Sequence, residues 1–150
     1  MNLILKLSGI FMLLSFSTLA GFLKSAKLKS RAVSLKEICI SLKELKERIR
    51  LERYEINRLL KICFKDCLDL SSHPPFLKKE GLEKSDVTLF YEYLNNAGMA
   101  DTQYECERLD LYIHLFEKRF TDAEDTYKRL GKLYRTCGFL IGLFVCIFII

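Results

Sequence analysis

Both ends of this chain are apolar and uncharged, and almost all of its charge lies between them. From Leu7 to Leu23 the sequence reads LSGIFMLLSFSTLAGFL, 17 residues without a charge, bounded by Lys6 and Lys24. From Cys137 to Ile150 it reads CGFLIGLFVCIFII, 14 residues that are all apolar or glycine. At about 1.5 Å per residue these helices span roughly 25 Å and roughly 21 Å, against roughly 30 Å for a bilayer core. Leu3, Ile4 and Leu5 extend the first run if Lys6 snorkels. The second run leaves no face for water. Residues 1–23 therefore read as an N-terminal transmembrane segment and residues 137–150 as a transmembrane or membrane-embedded segment.

The basic residues orient these segments. Lys24, Lys27, Lys29 and Arg31 follow the first run, and Lys128, Arg129, Lys132 and Arg135 precede the second. Both clusters adjoin the middle of the chain, so the positive-inside rule places residues 24–135 in the cytoplasm. The competing reading is an exported coiled-coil protein. In it Lys6 is the n-region of a signal peptide cleaved after Thr18-Leu19-Ala20, with a mature terminus near Gly21 and oxidised cysteines. The cations directly after the apolar run resist translocation and weigh against it.

Composition excludes other classes. Lys and Arg number 24 against 19 Asp and Glu, a net charge of +5 that is spread thinly. No basic stripe with interleaved aromatics stands out, which argues against nucleic acid. The 6 cysteines are scattered without a Cys-x-x-Cys pair. They read as free thiols used as small hydrophobes in a reducing compartment.

The middle of the chain reads as all-α. Leu35, Ile38, Leu42, Leu45, Ile49, Ile56, Leu59 and Cys63 recur at heptad-like spacing, predicting a long helix over about 34–68. The charged residues between them read as its solvated face. Ser71-Ser72-His73-Pro74-Pro75 ends that helix, and residues 69–85 form a linker. A short helix follows over about 86–96, with Ser85 as N-cap, Val87, Phe90, Tyr91 and Leu94 on one face, and Gly98 as the C′ glycine. Asp101 caps a second long helix, about 102–135, whose stripe is Leu109, Tyr112, Phe116, Phe120, Ala123, Tyr127, Leu130 and Tyr134. The two stripes bury each other in an antiparallel hairpin or small bundle between the two hydrophobic ends. So thin a core leaves surface for self-association or for another protein.

Catalytic chemistry is weak. Cys63 and Cys67 stand i,i+4 with His73 after them, and Asp66 or Asp69 could complete a metal set, but no second half matches. Cys106 and His114 are eight residues apart on one helix, too far for a nucleophile–base pair. No phosphate loop, serine elbow or His-Glu-x-x-His occurs. The sequence is read as that of a non-enzyme without cofactor or metal.

Two runs carry a family likeness. They are Leu94-Asn95-Asn96-Ala97-Gly98-Met99-Ala100-Asp101 before the long helix, and Gly131-Lys132-Leu133-Tyr134-Arg135-Thr136-Cys137-Gly138 entering the last apolar segment. With Ala20-Gly21-Phe22 and the basic residues after it, they resemble the stage III sporulation protein AB family. The likeness spans about 1–64 and 87–150; in 65–86 the family has a longer helical segment. The resemblance implies similarity to the cytoplasmic domain of the type II secretion inner-membrane platform protein. It implies a subunit of the assembly joining mother cell and forespore, in the mother-cell membrane around the forespore. The expected partners are the lipid bilayer, a secretion-type ATPase and other membrane subunits, and the role is to sustain forespore development. Gly98 and Asp101 are then the turn that orients the second helix, and Lys132, Tyr134 and Arg135 position it at the membrane surface.

Overall fold

The structure, a computed structural model, describes residues 2–51, 56–65, 67–69, 76–77, 81–98 and 101–149. Its elements are α1 (Asn2–Leu51), α2 (Ile56–Cys63), β1 (Leu68–Asp69), β2 (Phe76–Leu77), α3 (Lys84–Asn96) and α4 (Thr102–Ile149). Among the described residues the architecture is all-α apart from one antiparallel β pair, in which Leu68 faces Leu77 and Asp69 faces Phe76. Among the described residues, no helix is long and apolar enough to cross a membrane.

The helix bounds differ from the sequence expectation in three places. The helix expected to begin near Ser34 is part of α1, which starts at Asn2. No proline stands between Lys24 and Ser34, and nothing there stops the turn-by-turn hydrogen bonding. The same expected helix closes at Cys63 as α2, where Cys67 N–H bonds back to Phe64 O at 3.0 Å in a turn. Its residues 52–55, like Asp66 and the Ser71–Pro75 stop signal, lie outside the described residues. The N-cap of α3 is Glu83, not Ser85.

The chain divides into two compact units. One consists of residues 30–122. Here the α1 stripe is the core: Leu35, Ile38, Leu42 and Leu45 are fully buried, with Ile49 close behind. From α4, Leu109, Tyr112, Ile113 and Phe116 meet it, and α2 adds Leu59, Leu60 and Cys63. α3 inserts Phe90 and Tyr93. Its buried face is thus Asp86, Phe90 and Tyr93, turned by about one residue from the expected Val87, Phe90, Tyr91 and Leu94. Edge-to-face ring pairs knit the helices together: Phe64–Phe90 at 5.3 Å, Phe90–Phe116 at 6.3 Å and Tyr93–Tyr112 at 5.2 Å. Such pairs add about 0.5–1.5 kcal/mol each beyond their buried area. Surface ion pairs Lys43–Glu117 and Lys46–Asp110, both 2.6 Å, show that α1 and α4 run antiparallel here. Exposed pairs of this kind contribute about 0–1 kcal/mol.

The other unit joins residues 1–29 and 123–150. Small residues lie between the helices, and large apolar ones point away. A Cβ added at Gly21 would stand 2.5 Å from Tyr134 O and 3.3 Å from Gly138 Cα. One added at Gly138 would stand 2.9 Å from Ser17 O. Ser25 Oγ would lie 3.2 Å from a Cβ on Gly131, and Ser17 Cβ 3.2 Å from one on Gly142. Outside, Phe11, Phe16, Phe22, Phe139, Phe144 and Ile147 are each at least half exposed.

Candidate functional site

Three constellations distinguish this chain. The first is a carboxylate buried where three helices meet. Asp86 is 0% exposed. Arg31 of α1 donates to it from Nε (to Oδ2, 2.9 Å) and from a terminal nitrogen (to Oδ1, 3.3 Å). Arg119 of α4 donates to Oδ1 at 2.7 Å. Asp86 also stands at the third position of α3, and the Glu83 backbone N–H donates to its Oδ2 at 3.2 Å. Burial alone would raise its pKa. The Arg31 and Arg119 hydrogen bonds and the Glu83 N–H outweigh it and hold the carboxyl below its ordinary range.

The second is the α3–α4 turn. Gly98 has φ +82°, the left-handed C′ conformation that glycine adopts without strain. Its N–H donates to the Glu105 carboxylate. Glu105 is 1% exposed and pairs also with Arg108, whose guanidinium lies 5.8 Å from the centre of the Tyr93 ring. Asp101 precedes α4, is exposed, and its carbonyl accepts the Glu105 N–H at 2.9 Å. Gly98 and Asp101 thus both bond to Glu105, one to its carboxylate and the other to its backbone N–H. Burial, followed by the charge of Glu105, raises the Tyr93 phenol pKa.

The third is the seam between the paired apolar helices. Ser17 Oγ donates to Gly138 O at 2.6 Å across it. Above the seam, the Lys24 ammonium sits 4.9 Å over the Tyr134 ring, and Arg135 Nε donates to Gly131 O at 3.2 Å. Lys27, Lys29 and Lys132 are exposed. Arg31, expected to flank a membrane with them, pairs with Asp86 and Glu83. A buried carboxylate needs cations at hydrogen-bond distance, and Arg31 supplies one.

The remaining sequence candidates do not assemble. Cys63 and Cys67 are buried free thiols, and His73 lies outside the described residues. Among the described residues no group of three His, Cys, Asp or Glu side chains could hold a metal ion. Burial pushes the Cys39 thiol up to about 11, which keeps it protonated and unreactive at neutral pH. His114 is exposed, while Cys106 is half-buried. Cys106 lines an open groove of about 510 Å³ with Lys46, Arg50, Gln103 and Asp110, two of which already pair with each other.

Asp86 and Glu105 escaped sequence reading, yet each left a signal. Asp86 is the first member of the stripe Asp86, Phe90, Tyr93, with Glu83 three residues before it. Glu105 likewise begins Glu105, Leu109, Tyr112, Phe116. A carboxylate in phase with a buried stripe is the mark of a paired interior charge.

Comparison with known proteins fits the C-terminal architecture. The family model of stage III sporulation protein AB matches residues 63–150, more than half of the chain. No curated protein and no solved structure gives a significant match. The match takes in α3, the Gly98 turn and all of α4. The chain belongs to the stage III sporulation protein AB family, which implies a role in stage III of sporulation.

Proposed function

We propose that the chain is a non-enzymatic membrane subunit of the stage III sporulation complex. In this reading it is anchored in the mother-cell membrane around the forespore by its paired apolar ends. The family gives the stage III role. The anchoring is supported chiefly by the inside-out seam, with Gly21, Gly138 and Ser17 inside and phenylalanines outside. Membrane helix pairs pack in this way, because lipid solvates large apolar side chains while small residues let backbones approach. Each apolar run is shorter than an average bilayer core, and local thinning accommodates that. A signal peptide cleaved after Ala20 would remove Ser17, which Gly138 and Gly142 both meet, and Leu14, which Gly142 also meets. The seam thus speaks for retention over export.

On the cytoplasmic side, in this reading, stand residues 30–122, a small helical body. We assign it the role of docking a secretion-type ATPase and other membrane subunits. Exposed Tyr104, Leu111 and Leu115 on α4 offer apolar contact area for that purpose.

Two assays test the reading. Membranes from sporulating cells should retain the full chain through alkaline carbonate extraction, and the tagged chain should co-purify with the sporulation ATPase. Release by carbonate sinks the anchor. Co-purification that survives deletion of residues 30–122 sinks the platform.

A further inference from the structure

We infer that the basic collar at the base of the paired apolar helices binds the headgroups of anionic phospholipids. This rests on the membrane reading above and goes one step beyond it, from an anchor to a lipid preference.

The helix register places the cations. Ser25 lies beside Gly131, and Gly21 beside Tyr134 and Gly138. Lys24, Lys27 and Lys29 on α1 therefore lie near the level of Lys128, Arg129, Lys132 and Arg135 on α4. Within residues 20–29 and 123–138, the only acidic residues are Glu124 and Asp125, so the collar carries 7 − 2 = +5. Three of the cations are partly occupied. Lys24 lies on Tyr134, Arg135 bonds Gly131 O, and Lys128 pairs with Glu124 at 3.2 Å. Lys27, Lys29, Arg129 and Lys132 are exposed, and among the described residues they make no ion pair.

These four cations are shared between both helices and stand next to the exposed apolar surface that begins at Phe22, Leu23 and Leu133. A ligand that satisfies both features carries a phosphate joined to hydrocarbon. Arg129 and the lysines meet phosphate oxygens by charge-assisted hydrogen bonds. Neighbouring acyl chains cover the phenylalanines and leucines. A free phosphate or a nucleic acid meets only half of this surface. A zwitterionic headgroup carries its own cation and gains less from a +5 collar, so the preference is for a net negative headgroup.

The test uses the full chain purified in mild detergent and reconstituted in nanodiscs holding equal parts phosphatidylcholine and phosphatidylglycerol. After re-extraction, mass spectrometry quantifies the lipid that stays bound. Wild-type chain should retain phosphatidylglycerol roughly threefold or more over phosphatidylcholine, less so at high salt. The quadruple variant K27Q/K29Q/R129Q/K132Q should fall to the bulk ratio. K36Q/K61Q/K65Q/K118Q removes as much charge from residues 30–122 and should behave as wild type. Equal retention of both lipids by the wild-type chain, or enrichment unchanged in the first variant, overturns the lipid preference and leaves the anchor standing. A chain that retains no phospholipid overturns both.

Discussion

Ser17 and Gly138, 121 residues apart in sequence, touch through a 2.6 Å hydrogen bond from the serine hydroxyl to the glycine carbonyl. The contact exists because neither residue has bulk to keep the helices apart. The arrangement leaves Phe11, Phe16 and Phe144 outside. Under the proposed membrane anchoring that is the expected packing. The hydrogen bond itself contributes only about 0.6 kcal/mol in such a setting, so close backbone packing is the larger part.

Bulk in the seam should therefore separate the helices. A Gly138→Leu chain must displace Ser17 O, which stands 2.9 Å from the first added carbon. Gly9→Leu meets nothing within 4 Å of that carbon and serves as the control. Crosslinking between cysteines introduced near residues 17 and 138 should be lost in the first variant and kept in the second. Spore yield should fall at least about tenfold only for Gly138→Leu.

Asp86 joins α1, α3 and α4, and its removal strands two arginines. Asp86→Asn keeps the shape but drops the charge that Arg31 and Arg119 face. Breaking a buried ion pair costs about 3–5 kcal/mol, and the arginines are partly exposed, so about 2–3 kcal/mol is expected here. Chemical denaturation of the detergent-solubilised chain measures it.

The same carboxylate sets an acid limit. Its pKa in the fold lies below the model-peptide value of 3.8. A group depressed on folding stabilises the protein above its unfolded pKa and loses that contribution as pH falls through the folded one. The stability gap between wild type and Asp86→Asn should be constant from pH 7 to about pH 5 and shrink below about pH 4. A gap that closes instead near pH 6 would assign it to another group.

Two glycines of the same backbone hand should respond differently. Gly98 and Gly81 have φ +82° and +87°. At Gly98 the atoms nearest an added Cβ belong to the flexible Ile56 side chain, at 3.7 Å. Gly98→Ala should cost about 1–2 kcal/mol, the left-handed penalty alone. At Gly81 it meets Arg31 N and Ser30 Oγ at 3.0 Å, so Gly81→Ala should cost more. Thermal denaturation of both variants ranks them.

How much of this was legible in sequence differs by element. The buried stripes Leu35–Ile38–Leu42–Leu45 and Leu109–Tyr112–Phe116 followed from periodicity, because one residue every three or four must face the core. The Gly98 turn followed from a glycine past the end of an apolar run. Asp86 and Glu105 did not follow, since a lone carboxylate reads as solvated until its partners are known. Arg31 lies 55 residues before Asp86, and no local rule links them. The start of α1 at Asn2 was hidden for a similar reason. Composition changes at Lys24, but hydrogen bonding along the backbone does not. The seam was hidden too, because Ser17, Gly21 and Ser25 are spaced for helix pairing only once their partners Gly131 and Gly138 are placed opposite.

The most direct test of the central claim is a clean in-frame deletion, scored by microscopy for forespore stage and complemented from a plasmid. The account predicts arrest after engulfment, rescue by the wild-type chain, and little or no rescue by the Gly138→Leu chain. Normal spore formation without the protein would contradict it, and full rescue by Gly138→Leu would contradict the membrane seam.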